Sequence, residues 1–177
     1  MKNKFVPIAF LISVVIVAVG LSLFRNYQSK SWKIYTDTKL HYSIEYPNDW
    51  KIGKVCEGGV VGDNYICLES PDLVFDPVSI TTGTLITIAG SGSSMFVDGI
   101  LSPDNFCQKQ EGYQIQSCTQ ITINGLKAIK RVSSPYVDVA VVNNNKIIFI
   151  IRLFSVGGFQ SVPAIFDQIL STFQFTK

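Results

Sequence analysis

The sequence has one histidine, His41, and no Cys-x-x-Cys pair. Zinc therefore lacks its usual knuckle, and imidazole chemistry has a single candidate. Gly90-Ser91-Gly92-Ser93-Ser94 lacks the third glycine of a dinucleotide loop, the Gly-Lys-Ser/Thr of a phosphate loop and the Gly-x-Ser-x-Gly of a hydrolase elbow. No spaced Asp-x-Asp-x-Asp-Gly loop is present for calcium. The first thirty residues contain no cysteine, which excludes a lipoprotein anchor on chemical grounds. They also contain no acid, which argues against a pilin-type leader, where a glutamate sits inside the apolar run. Between Val55 and Gln108 there is no lysine or arginine, while Glu57, Asp63, Glu69, Asp72, Asp76, Asp98 and Asp104 fall there. A solvated acidic surface is the simplest reading of that stretch, and a cation site the sharper one.

What the chain does have is an uncharged run, Phe5–Phe24, bracketed by Lys2 and Lys4 before and Arg25 after. At about 1.5 Å per residue a helix of that length matches a hydrocarbon core of about 30 Å. The run is longer than a signal peptide needs, although Ala18-Val19-Gly20 offers a small-x-small cleavage site. The expectation is an N-terminal transmembrane helix over residues 1–25 with the lipid bilayer as its partner, or a secreted protein if the segment is cleaved. A linker over 26–31 and one domain over 32–177 follow. Basic residues on the two sides of the run nearly balance, so charge leaves orientation open.

The cysteines bear on it. Cys56 and Cys67 are eleven residues apart, as are Cys107 and Cys118. Four cysteines permit three pairings, and two local loops are the economical choice. Such bonds persist in oxidising compartments, which directs the domain to the extracytoplasmic side. Free buried cysteines, acting as small hydrophobes, are the alternative. From Asn26 onward twelve basic residues stand against thirteen acids, so there is no electrostatic case for nucleic acid.

His41–Tyr46 alternates with period two and reads as a strand with Tyr42, Ile44 and Tyr46 inward. It would place His41, Ser43 and Glu45 on one solvent face. Neighbours two apart on a strand do not make a catalytic triad. Ser102-Pro103-Asp104 has the grammar of a helix start, with the helix running to Glu111, Gly112 closing it and Cys107 on it. Asn124-Gly125 marks a tight hairpin. Ile147–Ile151 is an apolar run suited to a central strand. Ser161 caps a last helix with Val162, Ile165, Phe166, Ile169 and Leu170 on one side. Lys127, Lys130 and Arg131 read as rim charges on a strand. Gly90–Ser94 reads as a mobile loop and the candidate ligand loop. Strands and helices at separated places indicate an α+β layer structure with a largely antiparallel sheet.

Tyr35-Thr36-Asp37 followed by Tyr42-Ser43-Ile44-Glu45-Tyr46-Pro47-Asn48-Asp49-Trp50 resembles the opening of PsbP-like domains, named for an extrinsic subunit of the photosystem oxygen-evolving centre. Ile123-Asn124-Gly125-Leu126-Lys127-Ala128 and Ile169-Leu170-Ser171-Thr172-Phe173-Gln174-Phe175 extend the likeness. The resemblance implies an αβα-type sandwich and a non-enzymatic binding or accessory role. The absence of catalytic spacing, beside the apolar run, gives an anchored module that binds another envelope protein, with no cofactor expected. An envelope-associated hydrolase working at His41 or the Gly90–Ser94 loop is the alternative.

Overall fold

The computed structural model describes residues 32–53, 64–76, 79–93, 103–108, 114–143, 146–155 and 164–177. The chain divides into two units, Met1–Lys33 and Ile34–Lys177, and nearly all described residues belong to the second.

The second unit is built on an antiparallel meander. β8 (Ile115–Ile123) turns at Asn124-Gly125 into β9 (Leu126–Ser133). Both turn residues have positive φ, 47° and 80°, which is what a two-residue hairpin with the strands' right-handed twist requires. Ser134-Pro135 leads to β10 (Tyr136–Asn143), which pairs with β11 (Lys146–Ser155). β11 then pairs with β7 (Thr84–Gly90), β7 with β4 (Tyr65–Glu69), and β4 with β3 (Lys51–Gly53), all antiparallel. The seven-stranded order is β3-β4-β7-β11-β10-β9-β8. The apolar run Ile147–Ile151 thus occupies the middle strand, as its composition predicts. A small sheet joins β1 (Trp32–Asp37), β2 (Tyr42–Pro47) and β12 (Gln174–Phe175), and a two-stranded one joins β5 (Val74–Asp76) and β6 (Ser79–Thr82).

One face of the large sheet meets α2 (Ala164–Thr172) and the small sheet. There Tyr42, Phe149 and Phe173 pack with ring centroids 5.2–5.5 Å apart. Tyr42, Ile44 and Tyr46 are buried, as their alternation predicts, and Trp50 is buried with them. Asn124 reaches from the β8–β9 turn to donate to the carbonyls of Ser171 and Phe173 at 2.9 and 2.8 Å. It satisfies carbonyls that the end of α2 leaves unpaired. The other face carries a second core, with Tyr65, Leu85, Ala89, Ile129, Ala140, Ile147 and Ile150 around Phe106 of α1 (Pro103–Phe106).

The α+β, αβα-type expectation is corrected by this arrangement. Strands dominate, and among the described residues the only helices have 4 and 9 residues. Among the described residues neither face of the sheet carries a helical layer of the kind the sandwich requires. The helix expected over 102–111 stops at Phe106, and Cys107 lies beyond it in a turn. A good cap starts a helix, but this stretch has one buried anchor, Phe106, and no apolar stripe to hold further turns. Residues 109–113 lie outside the described residues, as do Ser161 and Val162. The transmembrane helix expected over 1–25 also falls outside them. Among the described residues no helix is long and apolar enough to cross a membrane.

Candidate functional site

The face beneath α1 carries a polar row that crosses six strands. Cys67 on β4 stands opposite Thr87 on β7, and Thr87 opposite Arg152 on β11. Arg152 stands opposite Asp138 on β10, Asp138 opposite Arg131 on β9, and Arg131 opposite Cys118 on β8. Directly opposed residues on antiparallel strands share a face, so this register alone brings the six side chains into line.

At the centre of the row Asp138 is fully buried and joins two arginines. Arg131 Nη2 donates to its Oδ2 at 2.6 Å, and Arg152 Nε donates to its Oδ1 at 2.6 Å. Arg131 is only 1% exposed and, among the described residues, is the largest of the fully buried side chains. Its Nη1 donates to the Phe106 carbonyl at 3.0 Å, while its guanidinium lies 4.4 Å from the centre of the Phe106 ring. Arg152 keeps a quarter of its side chain in solvent and stacks 4.8 Å over Tyr136. A buried charge is tolerated when it is paired and hydrogen-bonded, and the planar forks of arginine suit that role. These groups hold α1 on the sheet through its last residue.

A covalent tie lies beside them. Cys107 and Cys118 form a disulfide with Cα atoms 5.9 Å apart, joining the end of α1 to β8. Cys67, at the other end of the row, is also disulfide-bonded, and its Sγ lies 3.8 Å from Thr87 Oγ1. Cys56 lies outside the described residues.

Beside this tie is an open cavity of about 580 Å³. Pro103 of α1 forms one wall, and Gln120, Thr122, Lys127, Ile129 and Val142 line the sheet side. Lys127 stands opposite Thr122 across β8 and β9. Its mixed polar and apolar lining and open mouth suit contact with an extended group better than enclosure of a small molecule.

The other sequence-predicted residues fall elsewhere. Gly90 ends β7 and is buried, its amide donating to the Asn64 carbonyl at 2.8 Å. Ser91 donates to the Ile148 carbonyl at 3.0 Å, and Asn64 Nδ2 donates back to the Ser91 carbonyl at 3.3 Å. Gly92 has φ 92°, and Ser93 is buried with its Oγ unpartnered among the described residues. The expected mobile loop is therefore, through Ser93, a turn tied to both neighbouring strands; Ser94 lies outside the described residues. His41 is not on the strand. It occupies the β1–β2 turn at φ 54°, while Ser43 turns inward and is buried. Asp37 fixes that turn by accepting from the amides of Lys39 and Leu40.

Arg131 is not a rim charge. Lys130, on the opposite face of β9, is held by Asp167 of α2 at 2.8 Å. Asp138 and Arg152 escaped the sequence reading. The signal was there, since each is a lone charge inside an apolar strand, Val137–Val142 and Ile147–Leu153. Among the described residues no three His, Cys, Asp or Glu side chains gather as for a metal ion. Two tyrosines are perturbed. Burial, together with the Asp37 charge and its hydrogen bond, pushes the Tyr35 hydroxyl up to about 12. Burial pushes Tyr42 up further, with smaller contributions from Tyr35 and Asp37.

No family model matches this sequence, and no curated protein does. Structural neighbours include the solution structure of cyanobacterial PsbP (CyanoP) from Synechocystis sp. PCC 6803, at 16% identity and TM-score 0.47, covering 82% of this chain and 92% of that one. A 1.50 Å crystal structure from Bacteroides thetaiotaomicron is similar at 13% identity and TM-score 0.46. It is matched over 83% of this chain, which spans about half of the other (49%). Likenesses of this degree carry no statement about activity or partners.

Proposed function

We propose that this chain is a binding or accessory module held at the outer side of a membrane by its apolar run, with no catalytic role. One observation carries the reading. The charged groups that converge on the sheet are engaged with one another and with the α1 backbone, while the cavity beside them is open and lies at a sheet edge. A reaction centre needs a nucleophile or base aimed at a site from which water can be excluded. Here the ion pairs fix a wall of the cavity and face away from chemistry. The Cys107–Cys118 bond supports an oxidising compartment, and the uncharged length of Phe5–Phe24 supports tethering.

The test uses the full chain in its native membrane. A membrane-impermeant crosslinker applied from outside should trap it in a discrete complex that resists alkaline extraction, and peptide mapping without reductant should find Cys56 joined to Cys67. Recovery of the full chain from cytosol as a detergent-free monomer, with free thiols, would overturn the proposal.

A further inference from the structure

We infer that the β8 edge, with the cavity beside it, takes up an extended, carboxylate-bearing segment of another polypeptide as an added strand. This deepens the binding-module reading and rests on it. β8 has nine residues and lies at the end of the seven-stranded order among the described residues. From Ile115 to Ile123 it contains no charge and no proline. Sheet edges are normally blunted by short length, lysine, proline or a bulge. The opposite edge, β3, is blunted in this way, being three residues long and starting at Lys51. β1, at the edge of the small sheet, carries Lys33 and Asp37. β8 has one irregularity, between Ile115 and Ser117, and pairs regularly with β9 from Ser117 to Ile123. That stretch offers a straight ladder of backbone donors and acceptors.

The cavity is an independent observation at the same place. Gln120 and Thr122 project from β8 on the α1 side and both line it. A strand added to β8 would present alternate side chains to that side, so one of them would sit at the cavity mouth. Lys127 lines the cavity opposite Thr122, and no acid among the described residues pairs with it, in contrast to Lys130 on Asp167. A carboxylate is the complement. A second copy pairing β8 with β8 would bring no carboxylate, because β8 has none. The charge therefore excludes β8 itself and selects a carboxylate-bearing segment as the occupant.

The probes are nine-residue peptides of alternating valine and threonine with one central glutamate, and the same peptides with lysine in its place. The oxidised full chain in detergent micelles is titrated with each and followed by amide resonances and amide exchange. The glutamate peptide should bind roughly tenfold more tightly than the lysine peptide, as for one partly exposed charge-assisted bond. It should slow exchange at alternate residues of β8. Lys127→Glu should reverse the preference, and Gln120→Pro, which removes an N–H facing the free edge and not one bonded to β9, should abolish binding while leaving the other strands' exchange unchanged. Absence of any change at β8 with either peptide would overturn the inference. So would an unchanged charge preference in Lys127→Glu, or protection of β8 by self-association alone. If the outside crosslinker still traps a partner when β8 stays silent, the binding-module reading survives and the site is wrong.

Discussion

Cys118 and Arg131 stand directly opposite each other on β8 and β9, one bound to Cys107 and the other to the carbonyl of Phe106. Two successive residues at the end of α1 are therefore tied to two opposed residues of the sheet, once covalently and once by a charged hydrogen bond. Removing one half of a buried ion network costs more when a charge is stranded than when a pair survives. Asp138→Asn leaves both arginines without their carboxylate and should lower stability by about 3–5 kcal/mol. Arg131→Met leaves Asp138 still bound to Arg152, so its cost should be the smaller of the two. Urea denaturation of both variants at one pH checks the order, and equal costs would show that Arg152 alone does not hold Asp138.

The disulfide makes a separate prediction. Cys107→Ala with Cys118→Ala removes a crosslink over a separation of 11 residues. The loss should be about 3 kcal/mol, the scale on which a closed loop of that size restrains the unfolded chain. Reductant should destabilise the parent and leave the double variant unaffected at this bond. Amide exchange at Gln108, which bonds the Asn105 carbonyl at 3.1 Å, should rise first as α1 loosens.

Local patterning carried the sheet and missed the layers. The Asn124-Gly125 hairpin, the inward Tyr42, Ile44 and Tyr46, the central Ile147–Ile151 strand and the Cys107–Cys118 bond are all legible because each depends on neighbours in sequence or on composition. The αβα layering expected from the sequence failed, because a cap signal says where a helix starts and nothing about whether its face finds a sheet to cover. The polar row was hidden for another reason. Its six members come from six strands, and the pairing register that aligns them is set by turn lengths and a bulge at Val141/Val142. The open edge of β8 depends in the same way on which strand ends the sheet.

Alkaline pH provides a test of the β1–β2 region. The folded-state value of Tyr35 is raised to about 12, above the ordinary value of 10.0, so the folded chain holds its proton where the unfolded chain has lost it. The stabilisation from this group is complete below pH 10 and is lost as pH climbs from there toward 12. Tyr42 is shifted in the same direction and adds to the slope. Tyr35→Phe should therefore flatten the decline in midpoint between pH 10 and 12, measured by chemical denaturation across that range. A decline as steep as the parent's would exclude Tyr35 as its source.

Asn124 joins the hairpin to the last helix through two demands on one side chain. It must adopt φ 47°, which asparagine and aspartate tolerate better than most residues, and it must donate to Ser171 and Phe173. Asn124→Asp keeps the first property and reverses the second, placing a carboxylate against carbonyl oxygens at the negative end of α2. Asn124→Gly keeps the backbone freedom and removes the donors without adding charge. Loss of two hydrogen bonds at a helix end should cost roughly 1–3 kcal/mol in the glycine variant, and the aspartate variant should be less stable still at neutral pH. Acidification through the ordinary aspartate range should narrow the gap between them, because a protonated carboxyl can donate once. Thermal unfolding at pH 7 and pH 3 separates the two effects. If the aspartate variant matched the parent at pH 7, the turn geometry alone would account for the residue and the tie to α2 would contribute nothing measurable.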